Sequence, residues 1–232
     1  MSSGTSQRVW EIDALRGIAL VLMIVFHFIF DLNEFYGFPV HYNSGAYYYI
    51  GKVSAILFIL ISAVSCIFSS SNLKRAVKFL GIALAITVGT HLYNPAFGIK
   101  FGILHFLGTC ILLYPLFRDL NKYVLAILGT MIILVGRYFG EMQVHNNYLF
   151  LFNLTSNTWV SADYYPLFPW LGMFLYGIAL GKTVYHRKQS LLKRFPGNKF
   201  FGYIGRHTLS VYLIHQPLLL LFIGIYVKLK GE

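Results

Sequence analysis

Long apolar stretches separated by short polar segments dominate the chain. Each stretch runs for about 17–25 residues, the length that an α-helix needs to cross roughly 30 Å of hydrocarbon. Seven such stretches can be counted, at about 14–32, 47–69, 76–94, 99–117, 122–139, 164–182 and 207–228. The pattern therefore predicts an all-α integral membrane protein, with about seven transmembrane helices in one bundle and a single polytopic domain over residues 1–232.

Composition and charge support this interpretation. Hydrophobic residues make up 57% of the chain and charged residues only 12%, which excludes an ordinary soluble domain. The net charge of +11 could suggest nucleic-acid binding, so the positions of the 19 basic residues decide the matter. Fourteen of them fall on one side of the predicted helices, and seven of these lie in the segment 182–206. This positive-inside bias predicts an N-terminus inside and a C-terminus outside, with no nucleic-acid partner.

The two cysteines carry no signal for chemistry. Cys66 and Cys110 both lie inside apolar stretches. We expect them to be small buried hydrophobic residues rather than a disulfide or a metal site, and we expect no metal ion.

Ionisable side chains within apolar helices are energetically costly, so each marks a candidate functional site. His27 lies eleven residues beyond Arg16, roughly 16 Å into the first helix. Asp31 follows one turn later on the same helix face. A carboxylate beside an imidazole fixes its tautomer and supports its protonated form, as a general base requires. We therefore predict His27 as the catalytic base and Asp31 as its orienting partner.

Further ionisable groups fall in the outer half of the membrane in the predicted topology. His105, in the fourth apolar stretch, is expected to assist the base or to stabilise an oxyanion. The others are candidates for binding a substrate, and they are Lys52, Asp163 and His215. For His215, a packing or hydrogen-bonding role is an equal alternative.

The inner ends of the helices carry a different set of charges. Arg16 stands three residues after Asp13, which suggests an ion pair, and arginine geometry suits phosphate binding. Together with Arg16, five further groups could form a cationic ring at the inner mouth, namely Lys74, Arg75, Lys78, Arg206 and His207. Contacts with lipid headgroups are the alternative for Lys74, Arg75 and Lys78.

Five ordered motifs, spread from about residue 8 to residue 218, resemble a known family. They are Arg16-Gly17 with His27-Phe28 and Phe30-Asp31-Leu32, Phe101-Gly102-Ile103-Leu104-His105-Phe106, Asp163-Tyr164 with Pro166-Leu167-Phe168-Pro169-Trp170, Gly205-Arg206-His207-Thr208-Leu209, and Tyr212-Leu213-Ile214-His215-Gln216-Pro217. The family is that of the heparan-alpha-glucosaminide N-acetyltransferases, transmembrane acyltransferases, and the bacterial branch is the most similar.

The resemblance implies a reaction. Acetyl-CoA, or another acyl-CoA, would be the cytoplasmic donor, with its phosphates held by the cationic ring. The acyl group would pass through the helical bundle to an amino sugar, glycan or lipid-linked sugar on the far side. The implied location is the bacterial plasma membrane, with membrane lipids as partners and a homodimer left open.

The resemblance also bears on the identity of the base. In the lysosomal members an asparagine occupies the His27 position and the active-site histidine follows the first helix. The nearest match to that later histidine is His41, which is thus a further candidate for substrate binding. We rank His27 above it as the base.

Two rival functions remain open at this point. The acyltransferase-3 family shares an Arg-Gly start and a histidine in its first helix, and it would imply O-acylation of surface sugars. A secondary transporter or proton-coupled permease would also place histidine and aspartate in the membrane. Within the acyltransferase interpretation, the sequence leaves direct transfer and a covalent acyl-imidazole as alternatives.

Overall fold

The computed structural model describes residues 9–186, 189–191 and 198–230. Over these residues the chain is α-helical and no strand is formed. The helices are α1 (Trp10–Glu34), α2 (Gly45–Phe68), α3 (Asn72–Tyr93), α4 (Ile103–Phe117), α5 (Lys122–Glu141), α6 (Leu167–Val184), α7 (Asn198–Arg206) and α8 (Thr208–Lys230). Single turns of 3-10 helix lie at Pro95–Phe97 and Phe150–Phe152.

Six of these helices are long and apolar enough to cross a membrane, and they are α1, α2, α3, α5, α6 and α8. The apolar helix α4 has only 15 residues and falls short of that length. The prediction of an all-α multi-pass membrane protein with about seven helices is confirmed. In the basic segment 182–206, α7 is a short helix, and residues 187–188 and 192–197 lie outside the described part of the chain.

The helices divide into two compact units. The first unit comprises Met1–Phe58 with Lys188–Glu232, and the second comprises Ile59–Arg187. The first therefore holds α1, α7, α8 and the beginning of α2, and the second holds the end of α2 with α3 to α6. The single domain expected over residues 1–232 stays a prediction.

In the first unit, α7 packs closely against the beginning of α1. Gly17 faces the backbone carbonyl of Phe201, and Gly205 faces the backbone carbonyl of Asp13. A Cβ atom at either glycine would collide with that backbone, so glycine is what permits the approach. This contact fixes α7, and with it Arg206, beside the end of α1 that carries Arg16.

Polar side chains join the longer helices of the same unit. The Ser54 hydroxyl of α2 donates to the Ala19 carbonyl of α1 at 2.8 Å. The Tyr36 hydroxyl, just beyond α1, donates to the Leu220 carbonyl of α8 at 2.9 Å. Each bond ties a polar side chain to the backbone of a neighbouring helix.

The second unit is built on a large apolar core. Phe106 and Cys110 of α4 pack with Phe174 and Ile178 of α6, and Cys66 of α2 belongs to the same buried cluster. Both thiols are buried within it, as the sequence predicted. Helices α5 and α6 approach most closely where Gly129 and Gly172 face each other's backbone carbonyls.

The start of α4 lies later in the chain than the predicted helix boundary. The apolar stretch begins near residue 99, but the helix begins only at Ile103. The backbone before it is bonded elsewhere: the Lys100 N–H donates to the Ser161 hydroxyl at 3.1 Å, and the Phe101 carbonyl accepts from the Tyr165 N–H at 2.9 Å. Because non-helical backbone at membrane depth is tolerated only where the protein satisfies it, these bonds allow α4 to be short. Apolar periodicity alone cannot reveal them.

The glycine contact between α1 and α7 is testable with two alanine substitutions in one helix. Gly205→Ala should destabilise the protein by about 1–3 kcal/mol, because the new Cβ forces the backbones apart. Gly202→Ala is the matched control, since nothing lies within 4 Å of its added Cβ. Thermal unfolding of the purified protein in detergent would measure both. Equal stability of the two variants would contradict the close contact.

Candidate active site

Four polar side chains meet where α1 and α8 face each other in the first unit. His27 and Asp31 come from α1, and His215 and Gln216 are neighbours on α8. The two imidazole rings are in edge-to-face contact, with centroids 4.9 Å apart and planes at 79°. One turn further along α1, the Gln216 amide nitrogen donates to Asp31 Oδ1 at 2.5 Å. We call these four residues the α1–α8 cluster.

Backbone carbonyls fix the tautomers of both histidines. His27 Nδ1 lies 3.0 Å from the Met23 carbonyl, and His215 Nδ1 lies 2.5 Å from the Tyr212 carbonyl. A carbonyl oxygen can only accept, so each Nδ1 carries the hydrogen when the ring is neutral. Each Nε2 therefore keeps its lone pair, which is the form that a general base needs.

The partner of the His27 ring corrects one expectation from the sequence. We predicted that Asp31 would orient His27, because the two share a helix face. The Met23 carbonyl holds the ring instead, and Asp31 binds Gln216. In a helix, the backbone carbonyl one turn back lies within reach of a polar side chain. This local acceptor competes with the carboxylate for the N–H of the His27 ring.

The α1–α8 cluster contains acceptor atoms with no hydrogen-bond partner. Asp31 Oδ2, Gln216 Oε1 and His215 Nε2 are all buried without one. An unsatisfied buried acceptor costs about 1–3 kcal/mol. A ligand bearing N–H or O–H groups would satisfy these atoms. The cluster can therefore hold an amine or a hydroxyl beside an imidazole that is able to deprotonate it.

His105 occupies a different setting, in the second unit. Its Nδ1 accepts from the Gly102 N–H at 3.2 Å, so Nε2 carries the hydrogen and donates to the Thr87 hydroxyl at 3.1 Å. The ring thus caps the start of α4 and links it to α3. Both of its nitrogens are occupied in this arrangement, whereas His27 offers a lone pair. A catalytic role for His105 stays a prediction.

Asp163 also holds the start of α4. Its Oδ2 accepts from the Ile103 N–H at 2.8 Å, and Gly102 leaves the space for this approach. Burial raises the pKa of Asp163 to about 6, and the hydrogen bond from Ile103 opposes that rise. The described contact is structural, so the expected role in substrate binding stays a prediction.

Two other predicted substrate-binding residues lie in the first unit. His41 is exposed in the loop between α1 and α2. Lys52, in the second turn of α2, places its ammonium group 5.3 Å from the centre of the Tyr48 ring. Their roles stay predictions.

The predicted cationic ring is divided between the two units. In the first unit, Arg16 donates to Asp13 at 2.8 Å, which confirms the predicted ion pair. The Arg206 guanidinium lies 5.9 Å from the centre of the Tyr203 ring. The centroids of the Tyr203 and His207 rings are 4.9 Å apart. Arg206 and His207 are both exposed.

The remaining three cations of the ring belong to the second unit, at the beginning of α3. Arg75 donates to the Asn72 side chain at 3.1 Å, while Lys74 and Lys78 are exposed. Their expected contact with phosphate stays a prediction.

Sequence reasoning missed two polar residues of the first unit. A search for ionisable residues does not select Gln216, because a glutamine does not titrate. A glutamine beside a histidine in an apolar stretch nevertheless indicates a buried polar site. Glu11 is buried at the start of α1, where it accepts from the Ser190 hydroxyl and, at 2.7 Å, from the Leu191 N–H. The sequence feature that could have indicated Glu11 is a second carboxylate at the start of the first helix, two residues before Asp13.

The fold and the α1–α8 cluster define a multi-pass integral membrane protein with a histidine-containing polar site between two of its helices. Within the described ranges, no group of three or more His, Cys, Asp or Glu side chains is placed to hold a metal ion. The chain belongs to the family of heparan-alpha-glucosaminide N-acetyltransferase catalytic domains, which matches residues 8–217. No curated protein and no solved structure matches it. The family confirms the resemblance carried by the five motifs and supports a transmembrane acetyltransferase.

The setting of Asp163 gives a pH-dependent prediction. Because its pKa in the folded protein is about 6, above the ordinary value of 3.8, folding favours the protonated carboxyl. This contribution to stability is complete below about pH 4 and is lost as the pH rises through 6. Asp163→Asn cannot ionise, so the unfolding temperature of the wild type minus that of the variant should fall between pH 4 and pH 7. A difference independent of pH would contradict this setting.

Proposed function

We propose that the protein transfers an acetyl group from acetyl-CoA, or another acyl group from its CoA thioester, to an amine or hydroxyl of a sugar-containing acceptor. The donor would bind from the cytoplasm, and an amino sugar, a glycan or a lipid-linked sugar would receive the group on the opposite side. The observation that carries this proposal is His27, whose Nδ1 is held by the Met23 carbonyl and whose Nε2 keeps its lone pair. Family membership favours an acetyltransferase over the transporter alternative.

In the proposed reaction, His27 removes the acceptor's proton. The acceptor nitrogen or oxygen attacks the thioester carbonyl while its proton passes to His27 Nε2, and the carbon–sulfur bond then breaks. The imidazolium returns the proton to the leaving sulfur, so the ring ends neutral. In the covalent alternative, His27 Nε2 attacks the thioester carbonyl first and the carbon–sulfur bond breaks to release the CoA thiolate; the acceptor then takes the acyl group from the imidazole, and its proton passes to that thiolate. His105 is proposed to stabilise the oxyanion in either route.

The donor site is proposed at the end of the first unit where α7 packs on α1. Arg206 is exposed there beside the flat face of Tyr203, and Arg16 lies near the start of α1. Arginine and lysine side chains suit a ligand with several phosphates. The same role is proposed for His207, Lys74, Arg75 and Lys78.

The acceptor site is proposed at the opposite end, around the α1–α8 cluster. The unpartnered acceptor atoms of Asp31, Gln216 and His215 suit a sugar, which brings several O–H or N–H donors. Lys52, Asp163 and His41 are proposed to contribute. This arrangement requires the N-terminus inside and the C-terminus outside, as the distribution of basic residues predicts.

Removing a phosphate-binding arginine should weaken donor binding. Arg206→Ala should lower the affinity for acetyl-CoA several-fold or more, since hydrogen bonds to charged groups contribute about 1.5–3 kcal/mol and exposure reduces that value. Lys228→Ala, an exposed cation at the far end of α8, is the control and should bind normally. Isothermal titration calorimetry would compare them. Unchanged affinity in Arg206→Ala and in Arg16→Ala would place the donor site elsewhere.

The proposed base is tested by His27→Ala. This variant should bind acetyl-CoA normally but lose transfer by about 10²–10⁴-fold, the usual contribution of a general base. His41→Ala, which removes an exposed loop imidazole, should retain most activity. Both would be measured by following free CoA and the acetylated acceptor. Normal turnover in His27→Ala with an inactive His41→Ala would assign the base to the loop after α1.

A further inference from the structure

The histidine of α8 has features that packing does not explain. His215 is 7% exposed, and its Nε2 has no hydrogen-bond partner. A buried side-chain nitrogen normally has a hydrogen-bond partner. Both ring nitrogens of the half-buried His105, for comparison, are bonded, through Gly102 and Thr87. The unbonded Nε2 of His215 lies in a ring that directly contacts His27.

The two rings are also in the same protonation form. Each donates its Nδ1 hydrogen to a carbonyl of its own helix, four residues earlier for His27 and three for His215. Each therefore has Nε2 as its only basic atom. Two bases whose ring centroids lie 4.9 Å apart compete for any proton that enters the cluster. His215 Nε2 has no hydrogen-bond partner in the structure, so a hydrogen bond between the two rings forms only when one ring has taken up a proton and the rings have turned towards each other.

We propose that His27 and His215 act together as a two-imidazole base, which holds the acceptor's proton between their Nε2 atoms during acyl transfer. This inference rests on the proposed function and assigns His215 a part in the reaction. The proton leaves the acceptor as the bond to the acyl carbon forms. It is held by the imidazole pair and then passes to the sulfur as the carbon–sulfur bond breaks. Both rings return to their neutral forms, so atoms and charge balance.

Sharing reduces the cost of a positive charge at this position. A single imidazolium at membrane depth is poorly solvated, whereas a second imidazole supplies an acceptor for its new N–H.

Among the other ionisable groups of the unit, Asp31 lies one turn away on α1 and binds Gln216. Asp13 pairs with Arg16, and Tyr42 donates to Glu34 near the end of α1. On α2, Lys52 lies against the Tyr48 ring, and on α7, Arg206 lies against Tyr203.

The first test compares His215→Gln with His91→Gln. Glutamine can keep a hydrogen bond but cannot take up the proton. His91 is a matched control because its Nδ1 also bonds the carbonyl of its own helix, that of Thr87. For His215→Gln we expect kcat to fall about tenfold or more while the affinity for acetyl-CoA stays normal. The acidic limb of the pH profile of kcat/KM should also move by about one pH unit or more. His91→Gln should match the wild type. A wild-type kcat and pH profile in His215→Gln would overturn the proposal.

The second test needs no substrate, so it separates this inference from the proposed function. The protein labelled with ¹⁵N-histidine would be titrated by NMR, with the two resonances assigned by the His27→Gln and His215→Gln variants. In the wild type, each protonation step should shift both resonances together. Independent titration of the two rings would overturn the pair. If His215→Gln does not fold, His27→Gln alone decides, because removing one ring should change the titration of one other histidine, and the absence of any such change would overturn the pair. Coupled titration in a protein that transfers no acyl group would refute the proposed function and leave the pair standing.

Discussion

Hydrocarbon offers no hydrogen-bond partner, and this constraint governs every polar group that the chain places at membrane depth. Most of these groups are satisfied locally. Ser65, Thr90 and Thr183 donate to carbonyls one turn back in their own helices. Others are satisfied across helices, as Ser54 is by Ala19. Because partners are so consistently supplied, the few buried atoms that lack one are informative.

The same constraint distinguishes two kinds of histidine. The nitrogens of His105 are both bonded, and the ring holds the non-helical start of α4 together with Asp163. His27 and His215 each use Nδ1 for a backbone carbonyl, and their rings are in contact with each other. In the first setting both ring nitrogens have partners within the protein, and in the second the Nε2 lone pair is available to a ligand. The α1–α8 cluster is therefore where acyl transfer is proposed.

Much of this architecture could be predicted from the sequence, for a physical reason. Crossing a bilayer requires long apolar helices, so α1, α2, α3, α5, α6 and α8 appear directly in the hydropathy pattern. The Asp13–Arg16 pair followed from helical spacing, and His27 was found because an imidazole in such a helix is costly. These features depend on composition and local geometry, which a sequence displays.

The partners of individual side chains could not be predicted in the same way. Asp31 was assigned to His27 by helical spacing, but Gln216, which lies 185 residues away in sequence, binds it. The late start of α4 depends on Asp163 and Ser161, which lie about 60 residues further along the chain. The contact between Gly205 and α1 depends on the absence of a side chain, which hydropathy does not register. In each case tertiary packing decided the outcome.

The central claim is that this chain carries an acetyl group across a membrane, and sidedness tests it most directly. Purified protein would be reconstituted into sealed vesicles that contain isotopically labelled acetyl-CoA, with an amino sugar supplied only outside. We expect labelled acetyl sugar outside while CoA stays within the vesicles, and no such product from vesicles carrying His27→Ala. Product that forms only after the vesicles are permeabilised, or no product under either condition, would contradict it.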